Sequence, residues 1–410
     1  MSLPAAATPS LIGHRSFALF WSARTSTTAA YQMQAVAVGW QIYDMTNNPL
    51  DLGFVGLVQF FPVVVLSLVI GQVADRYDRR RVAGICQVVK ALAALALAFG
   101  TAGGWLGREA IFAILFVTGT ARAFEGPTMH TLVPSIVPQE ILPRAIAASA
   151  TANQTAIISG PAIGGLLYLL GPVTVYLTCA AVFVAAAVLV SLVQTRYGKQ
   201  DKKPVSLNTL FAGYGYIRRH PVLLGLLSLD LLAVLLGSVI ALLPIYARDI
   251  LQTGPWGLGL LRSAPAVGAL TMSVVLAHYS IRHRAGHIMF ASVAIFGLSI
   301  VVFALSPWLI LSIAALAVYG ASDAISVVIR HSLVQTRTPN EMLGRVMAVN
   351  SMFTGSSGTL GEFRAGAMAA WWGAVPAGLF GGVGVVVVAF AWMRLFPELP
   401  RIDKLVAEKK

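Results

Sequence analysis

Gly71-Gln72-Val73-Ala74-Asp75-Arg76-Tyr77-Asp78-Arg79-Arg80-Arg81 forms a basic break where two apolar runs, Leu52–Ala74 and Val82–Ala102, meet. Each run is long enough to cross a bilayer as a helix, which takes about 20 apolar residues. The alternation continues along the chain. Further runs cover Phe17–Tyr43, Ala110–Met129, Leu142–Leu170, Val173–Val193, Leu223–Tyr246, Trp256–His278, Ile288–Leu305, Leu309–Arg330, Leu343–Ala370 and Ala374–Leu395, about twelve in all. Of the 410 residues, 57% are hydrophobic and only 11% charged, against roughly 25% charged in a soluble domain. Mean hydropathy is +0.77. A soluble chain cannot hide that much apolar side chain, so the sequence predicts an all-α integral membrane protein. The runs are too long and too unbroken for the alternating ten-residue strands of a membrane barrel.

Charge then sets the topology. The net charge is +13, which in a soluble protein suggests nucleic acid. Here the connections after odd-numbered runs carry only Arg108 and Arg248, while the termini and the other connections carry most of the 29 Lys and Arg. That asymmetry is the positive-inside rule. It predicts both termini in the cytoplasm and needs no nucleic-acid partner. Cys86 and Cys179 lie inside apolar runs, which argues against a disulfide framework or a cysteine metal site. Met1–Ser10 is polar, and the first apolar run is too long for a cleaved leader. No phosphate-binding loop of the form G-x-x-x-x-G-K-[ST], metal cluster or nucleophile constellation is visible. The expectation is no enzyme, no cofactor and no direct ATP coupling.

The longest polar interruption, Gln194–Pro221, sits near mid-chain and reads as a cytoplasmic linker, with Ser206–His220 as a short amphipathic helix. The two sides of this linker resemble each other. A shift of 201 residues aligns Gly119–Gly165 with Gly320–Gly366 without a gap, pairing His130/His331, Pro138/Pro339, Glu140/Glu341 and Arg144/Arg345. Apolar composition does not produce such pairs by chance. The expected organisation is a six-helix bundle in residues 1–194, a linker in 195–221, a second six-helix bundle in 222–397 and a cytoplasmic tail in 398–410, related as a parallel repeat.

The loop Gly71–Arg81 resembles the G-x-x-x-D-R-x-G-R-R signature of the major facilitator superfamily, with Asp78 where the family usually has Gly. Gly160-Pro161-Ala162-Ile163-Gly164-Gly165 resembles the G-P-x-x-G-G signature of that superfamily's antiporters and exporters. Together with Trp40-Gln41-Ile42-Tyr43, the loop is most similar to the bacterial subgroup that contains the enterobactin exporter and macrolide efflux pumps. The resemblance implies an inner-membrane secondary transporter working by alternating access between two pseudo-symmetric bundles. It also implies export of amphipathic small molecules, a siderophore or a drug, by proton antiport from a monomer in the lipid bilayer. An importer or flippase, or a receptor that kept the fold without transport, stands as the alternative.

The resemblance assigns a conformational latch to Gly71, Asp75, Arg76, Arg79 and Arg80, with Asp75 facing the start of the eleventh helix and Arg79 paired with Glu125. A mere topology anchor is the other reading. Gly160, Pro161, Gly164 and Gly165 would seal the two halves against leak, or pack within one half. Acids inside spans are costly and face a cavity or a partner. Asp230, amid Leu, Ala and Ser in the seventh run, is the candidate for proton coupling or substrate contact, with a salt bridge to Arg24 as the structural alternative. Glu125 is a second proton-coupling candidate, or a structural pair. Arg122 and Asp323 occupy matching repeat positions and would meet as a cytoplasmic gate. Arg24, Thr28 and Gln32 recur at four-residue spacing, with Tyr31 and Gln34 beside them and Asn153 and Gln154 on the fifth run. That polar stripe is the predicted substrate-facing wall, or a set of helix–helix hydrogen bonds. Glu362 and Arg364 are expected to reach the outer interface.

Overall fold

The computed structural model describes residues 13–66, 69–70, 73, 76–194, 207–279, 281 and 283–404. Among the described residues the apolar runs are built mainly of helix: α1 (Arg15–Thr46), α2 (Pro49–Val65), α3 (Arg79–Ala102), α4 (Arg108–Ile136), α5 (Leu142–Leu167), α6 (Pro172–Ser191), α7 (Pro221–Gly237), α8 (Gly254–His278), α9 (Ala285–Leu305), α10 (Leu309–Arg337), α11 (Asn340–Trp372) and α12 (Ala374–Leu395). A linker helix, Leu207–Arg219, precedes α7. No strand occurs among the described residues. Seven helical segments among them are long and apolar enough to cross a membrane by length and composition alone, one being Pro221–Ile250. α1, α2, α4, α5 and α11 fall outside that set; all of these but α2 carry most of the polar positions singled out above.

Side-chain placement is that of a protein solvated by lipid. On α3, Ile85, Val88, Leu92 and Phe99 are exposed at helical spacing, while Gln87 and Lys90 are buried among alanines. Water would favour the reverse. α12 repeats the pattern with Phe380, Val383, Val387 and Phe390 exposed.

By its contacts the chain divides into two compact units. One comprises Met1–Gln34, Phe61–Gly160 and Gly171–Pro204; the other comprises Ala35–Phe60, Pro161–Leu170 and Val205–Lys410. The first has a core in which Phe17 and Phe20 of α1 meet Met129, Leu132 and Ile136 of α4, and Ala186 and Val190 of α6. In the second, Gly268 and Gly320 bring α8 and α10 into backbone contact. A Cβ on either would lie 1.8 Å from a carbonyl oxygen of the other helix.

Two local features differ from the sequence expectation. α2 ends at Val65, shortly after Pro62, inside the apolar run. α7 stops at Gly237 and continues as short turns through Tyr246–Ile250, the last a π-helical turn. The linker helix does form, with Arg218 and Arg219 in its last turn, and it packs on α11: a Cβ on Gly213 would lie 2.7 Å from the Arg345 carbonyl oxygen.

Asp78, the departure from the loop signature, is the N-cap of α3. Its carboxylate accepts from the Arg80 amide at 2.9 Å and pairs with the Arg80 guanidinium at 2.9 Å. The hydrogen bonds from Arg80 hold its carboxyl below the usual carboxylate range. Arg80 also donates to the Val193 carbonyl at 3.0 Å, tying this loop to the end of α6. Losing such a cap costs about 1 kcal/mol, so Asp78→Ala should lower thermal stability slightly, while Asp78→Gly, the usual family residue, should be nearly neutral. Melting curves of the two variants make the comparison.

The C-terminal tail folds back onto the start of α9. The Arg284 amide donates to Asp403 Oδ1 at 2.7 Å, and His283 Nδ1 lies 3.1 Å from Oδ2. Ala285 and Gly286 donate to the Asp403 and Ile402 carbonyls. The backbone bond from Arg284, then His283, depresses the Asp403 pKa. A depressed carboxylate contributes stability above its unfolded pKa of roughly 4 and loses it as pH falls through the lower folded value. The tail should therefore stay docked from neutral pH down to about pH 4 and release below it. Amide exchange at Arg284–Gly286 against pH reads this out, and Asp403→Ala should give fast exchange already at neutral pH.

Candidate functional site

In the first unit, buried chemistry centres on Glu125 of α4. It accepts from Lys90 Nζ at 2.5 Å and from Gln87 Nε2 at 2.6 Å, both on α3. All three side chains are buried, and Lys90 also sits over the Phe183 ring. This corrects the expected pairing of Glu125 with Arg79. Arg79 opens α3, and Lys90 lies eleven residues further along, about 16 Å at 1.5 Å per residue. Only the deeper base reaches the level of Glu125. A buried pair broken on one side costs about 3–5 kcal/mol. Lys90→Met should therefore destabilise strongly, and Lys90→Met with Glu125→Leu should recover most of the loss in a thermal unfolding assay. Of the other latch residues, Gly71 and Asp75 lie outside the described residues, Arg76 is exposed, and Arg80 is engaged with Asp78 and Val193.

Arg24, Thr28 and Gln32 all lie on α1. Thr28 donates to Asn153 Oδ1 at 2.9 Å, which joins α1 to α5. Arg122 Nη1 donates to the Tyr31 hydroxyl at 2.6 Å, with its guanidinium 4.2 Å from the Tyr31 ring centre. Gly160 lets α5 approach the stripe: a Cβ there would lie 2.7 Å from Gln32 Cβ and 2.9 Å from the Ala29 carbonyl oxygen. Arg24 is half-buried, within electrostatic reach of Glu125, and makes no hydrogen bond or ion pair to a described residue. Arg122 is therefore occupied by Tyr31 within its own unit.

In the second unit, Asp230 of α7 is 4% exposed and Arg330 of α10 is 5% exposed. Their closest N···O distance is 2.6 Å. Thr354 of α11 donates to Asp230 Oδ2 at 3.1 Å, and Arg330 also donates to Ser326 Oγ at 2.8 Å. The partner of Asp230 is thus Arg330, not Arg24. The signal was available: Asp323, Ser326 and Arg330 follow each other on α10 at helical spacing. Asp323 lines the same small cavity as Asp230 and Arg330, closed by Ala233, Val234, Val293 and Phe296.

The second unit also joins the charge-poor ends of α1, α2 and α5 to helices of the second half of the chain. Tyr43 donates to Asp249 Oδ2, and Arg248 donates to the Tyr43 carbonyl at 3.1 Å and lies 3.6 Å from Asp44. Arg262 donates to the Ala35 carbonyl at 2.9 Å. Two contacts have no side chain between the backbones. A Cβ on Gly165 would lie 2.6 Å from the Pro255 carbonyl oxygen, and one on Gly259 would lie 2.5 Å from that of Pro161. A Cβ on Gly366 would lie 2.7 Å from the Gly53 amide nitrogen. Of the predicted seal, Pro161 and Gly165 pack on α8 and Gly160 on α1. Arg364, expected at the outer interface, instead caps the broken end of α7, donating to the Leu235 carbonyl at 3.1 Å and the Leu236 carbonyl at 2.7 Å. Hydropathy does not register that break, so the need for a cap was not legible.

Residues 6–409 match the family model of transmembrane secretion effectors, MFS_3. The chain belongs to that family. It is a membrane transporter rather than an enzyme, and a bilayer and a small-molecule substrate are its partners. It is 29% identical over 407 residues to an enterobactin exporter EntS of Shigella dysenteriae, covering 94% of this chain and 93% of the relative. It is 30% identical over 409 residues to that of Citrobacter koseri, covering 95% and 93%. Among solved structures, the nucleoside transporter NupG (D323A mutant) superposes with a TM-score of 0.74 at 16% identity, over 93% of this chain and 100% of that one. A bacterial homologue of the lysosomal transporter Spinster, inward-facing and unoccupied, gives 0.74 at 12% identity, over 94% and 98%. A bacterial homologue of the iron transporter ferroportin, also inward-facing, gives 0.68 at 20% identity, over 94% and 99%.

Proposed function

We propose that the chain is an inner-membrane exporter of siderophore-like molecules, with both termini in the cytoplasm, acting as a monomer by alternating access. The moving bodies are the six-helix halves in residues 1–194 and 222–397, joined by the linker 195–221 and followed by the tail 398–410. The observation that carries this reading is the glycine seam at the charge-poor face. There Gly53 meets Gly366, and Pro161 and Gly165 meet Pro255 and Gly259, each pair bridging the two halves of the sequence. Bare backbones can pack and part without re-sorting side chains, which suits a contact that opens and closes. The opposite gate, in this reading, uses the loop Gly71–Arg81, with Arg122 and Asp323 drawing together when the cytoplasmic side shuts.

Proton coupling rests on the cavity of the second unit. One guanidinium, Arg330, balances one carboxylate, and both Asp230 and Asp323 border it. A proton is the simplest partner for the second acid. Glu125 is already balanced by Lys90 and is the weaker candidate. Loading a proton from outside and releasing it to the cytoplasm would drive substrate the other way.

The test uses inside-out membrane vesicles and enterobactin, the molecule named for the relatives. With an acidic lumen, enterobactin should accumulate inside; with the gradient reversed it should not. Accumulation with the gradient reversed would indicate import, and no movement in either case would indicate a non-transporting protein. Asp323→Asn should abolish accumulation driven by the proton gradient while keeping passive exchange of enterobactin. Gradient-driven accumulation at the wild-type level in that variant would contradict the proton role.

A further inference from the structure

Arg364 of α11 completes a break in α7. The last helical residue of α7 is Gly237, and Ser238 is extended. In an unbroken helix the Leu235 and Leu236 carbonyls would accept from the amides of Val239 and Ile240, four residues on. Here the guanidinium takes that place. Nε donates to the Leu235 carbonyl at 3.1 Å, and Nη2 donates to those of Leu236 at 2.7 Å and Ser238 at 3.3 Å. Bare positions on α11 and α12 make room for the arrangement. A Cβ on Gly361 would lie 2.8 Å from the Leu235 carbonyl oxygen. One on Gly381 would lie 2.5 Å from that of Leu236 and 3.3 Å from Arg364 Nη2. The negative end of a half-helix is a favourable seat for a cation, and broken helices in transporters hold coupling ions at such ends. In this chain the cation is a side chain.

The break separates two sets of contacts. Before it, Asp230 pairs with Arg330 of α10. Beyond it, residues 238–250 run through short turns to Arg248 and Asp249, which hold Tyr43 and Asp44 at the end of α1. Within that stretch Tyr246 is buried and donates to the Ala304 carbonyl of α9 at 2.9 Å. We infer that Arg364 is a positioning residue of the transport cycle: it keeps α7 in two pieces, so that residues 238–250 can part from α1 while the piece bearing Asp230 stays seated on α10. The inference rests on the exporter reading above and gives its charge-poor gate a hinge. Irregular backbone at membrane depth persists only where protein or water satisfies it. Without the guanidinium, winding residues 238–242 into helix is the nearest way to satisfy the freed carbonyls.

The test reads amide exchange over residues 238–242 in the purified full-length protein in detergent, together with enterobactin export in vesicles. In Arg364→Ala, exchange there should slow about tenfold as helix forms, whereas a plain loss of packing would speed it. Maximal export should fall about tenfold with the half-saturating enterobactin concentration unchanged, since Arg364 acts on the movement and not on the cargo. Methylguanidinium, which matches the group removed, should restore both the wild-type exchange and export. Arg364→Lys keeps the charge but offers a single nitrogen, so it should fall between wild type and Arg364→Ala in both readouts. It carries the test if the alanine variant does not fold. Arg394→Gln, exposed in the last turn of α12, should match wild type. Unchanged or faster exchange at residues 238–242 in whichever variant folds, or wild-type export in Arg364→Ala, overturns the inference. A wild-type protein that moves no enterobactin sinks the exporter reading, while the exchange result and its reversal by methylguanidinium still decide the hinge.

Discussion

Arg330→Met is expected to cost the protein about 3–5 kcal/mol, the loss seen when one partner of a buried ion pair is removed. The side chain reaches Asp230 at 2.6 Å and Ser326 at 2.8 Å with almost no exposure. Its removal leaves two acids, Asp230 and Asp323, bordering one small apolar cavity without a cation. Purified variant should melt far below wild type or fail to leave the membrane as a single species. Replacing both partners tells packing from function. Arg330→Met with Asp230→Leu substitutes apolar groups of similar size, which often restores stability. That double variant should fold and should no longer couple enterobactin accumulation to a proton gradient. A single variant as stable as wild type would show that the pair is solvated and carries no structural weight.

Gly165→Leu is expected to hold the charge-poor face apart. Its Cβ would fall 2.6 Å from the Pro255 carbonyl oxygen and 3.1 Å from Gly259 Cα, and these are backbone atoms that cannot turn aside. Overpacking of this kind costs about 1–3 kcal/mol, so the closed form would lose roughly tenfold to a hundredfold in population relative to the open one. Export should fall by a similar factor while the protein stays folded. A cysteine at Tyr43, buried at the seam, should become more reactive to a membrane-impermeant reagent added from the charge-poor side. Wild-type export in Gly165→Leu would remove the seam from the mechanism. Gly366→Leu, against the Gly53 backbone, should behave the same way.

Much of this architecture is legible in the sequence because the bilayer imposes it. Length and hydropathy locate α1 to within a few residues, Phe17–Tyr43 against Arg15–Thr46. The G-P-x-x-G-G stretch points to close approach, and the structure puts Pro161 and Gly165 within backbone reach of α8. What escaped was pairing. An embedded acid announces a partner without naming it, because the partner is chosen by depth and helix face, not by closeness in sequence. The resemblance pairs Glu125 with Arg79 at the start of α3, and the structure pairs it with Lys90 three turns deeper; the sequence offers Asp230 a base on α1, and the structure gives it Arg330 on α10. Arg364 escaped for a different reason: the carbonyl groups it caps exist only because α7 breaks at Gly237, and an unbroken apolar run conceals that break.

The central claim is that the charge-poor seam must part in every transport cycle. The direct test places cysteines at Tyr43 and Asp249, whose side chains touch across the seam, in a background where buried Cys86 and Cys179 are replaced by alanine. The pair is then bridged with a short reducible thiosulfonate reagent. Export of enterobactin should stop with the bridge in place and return to the unbridged rate on reduction. Export at the unbridged rate with the bridge intact would contradict the account.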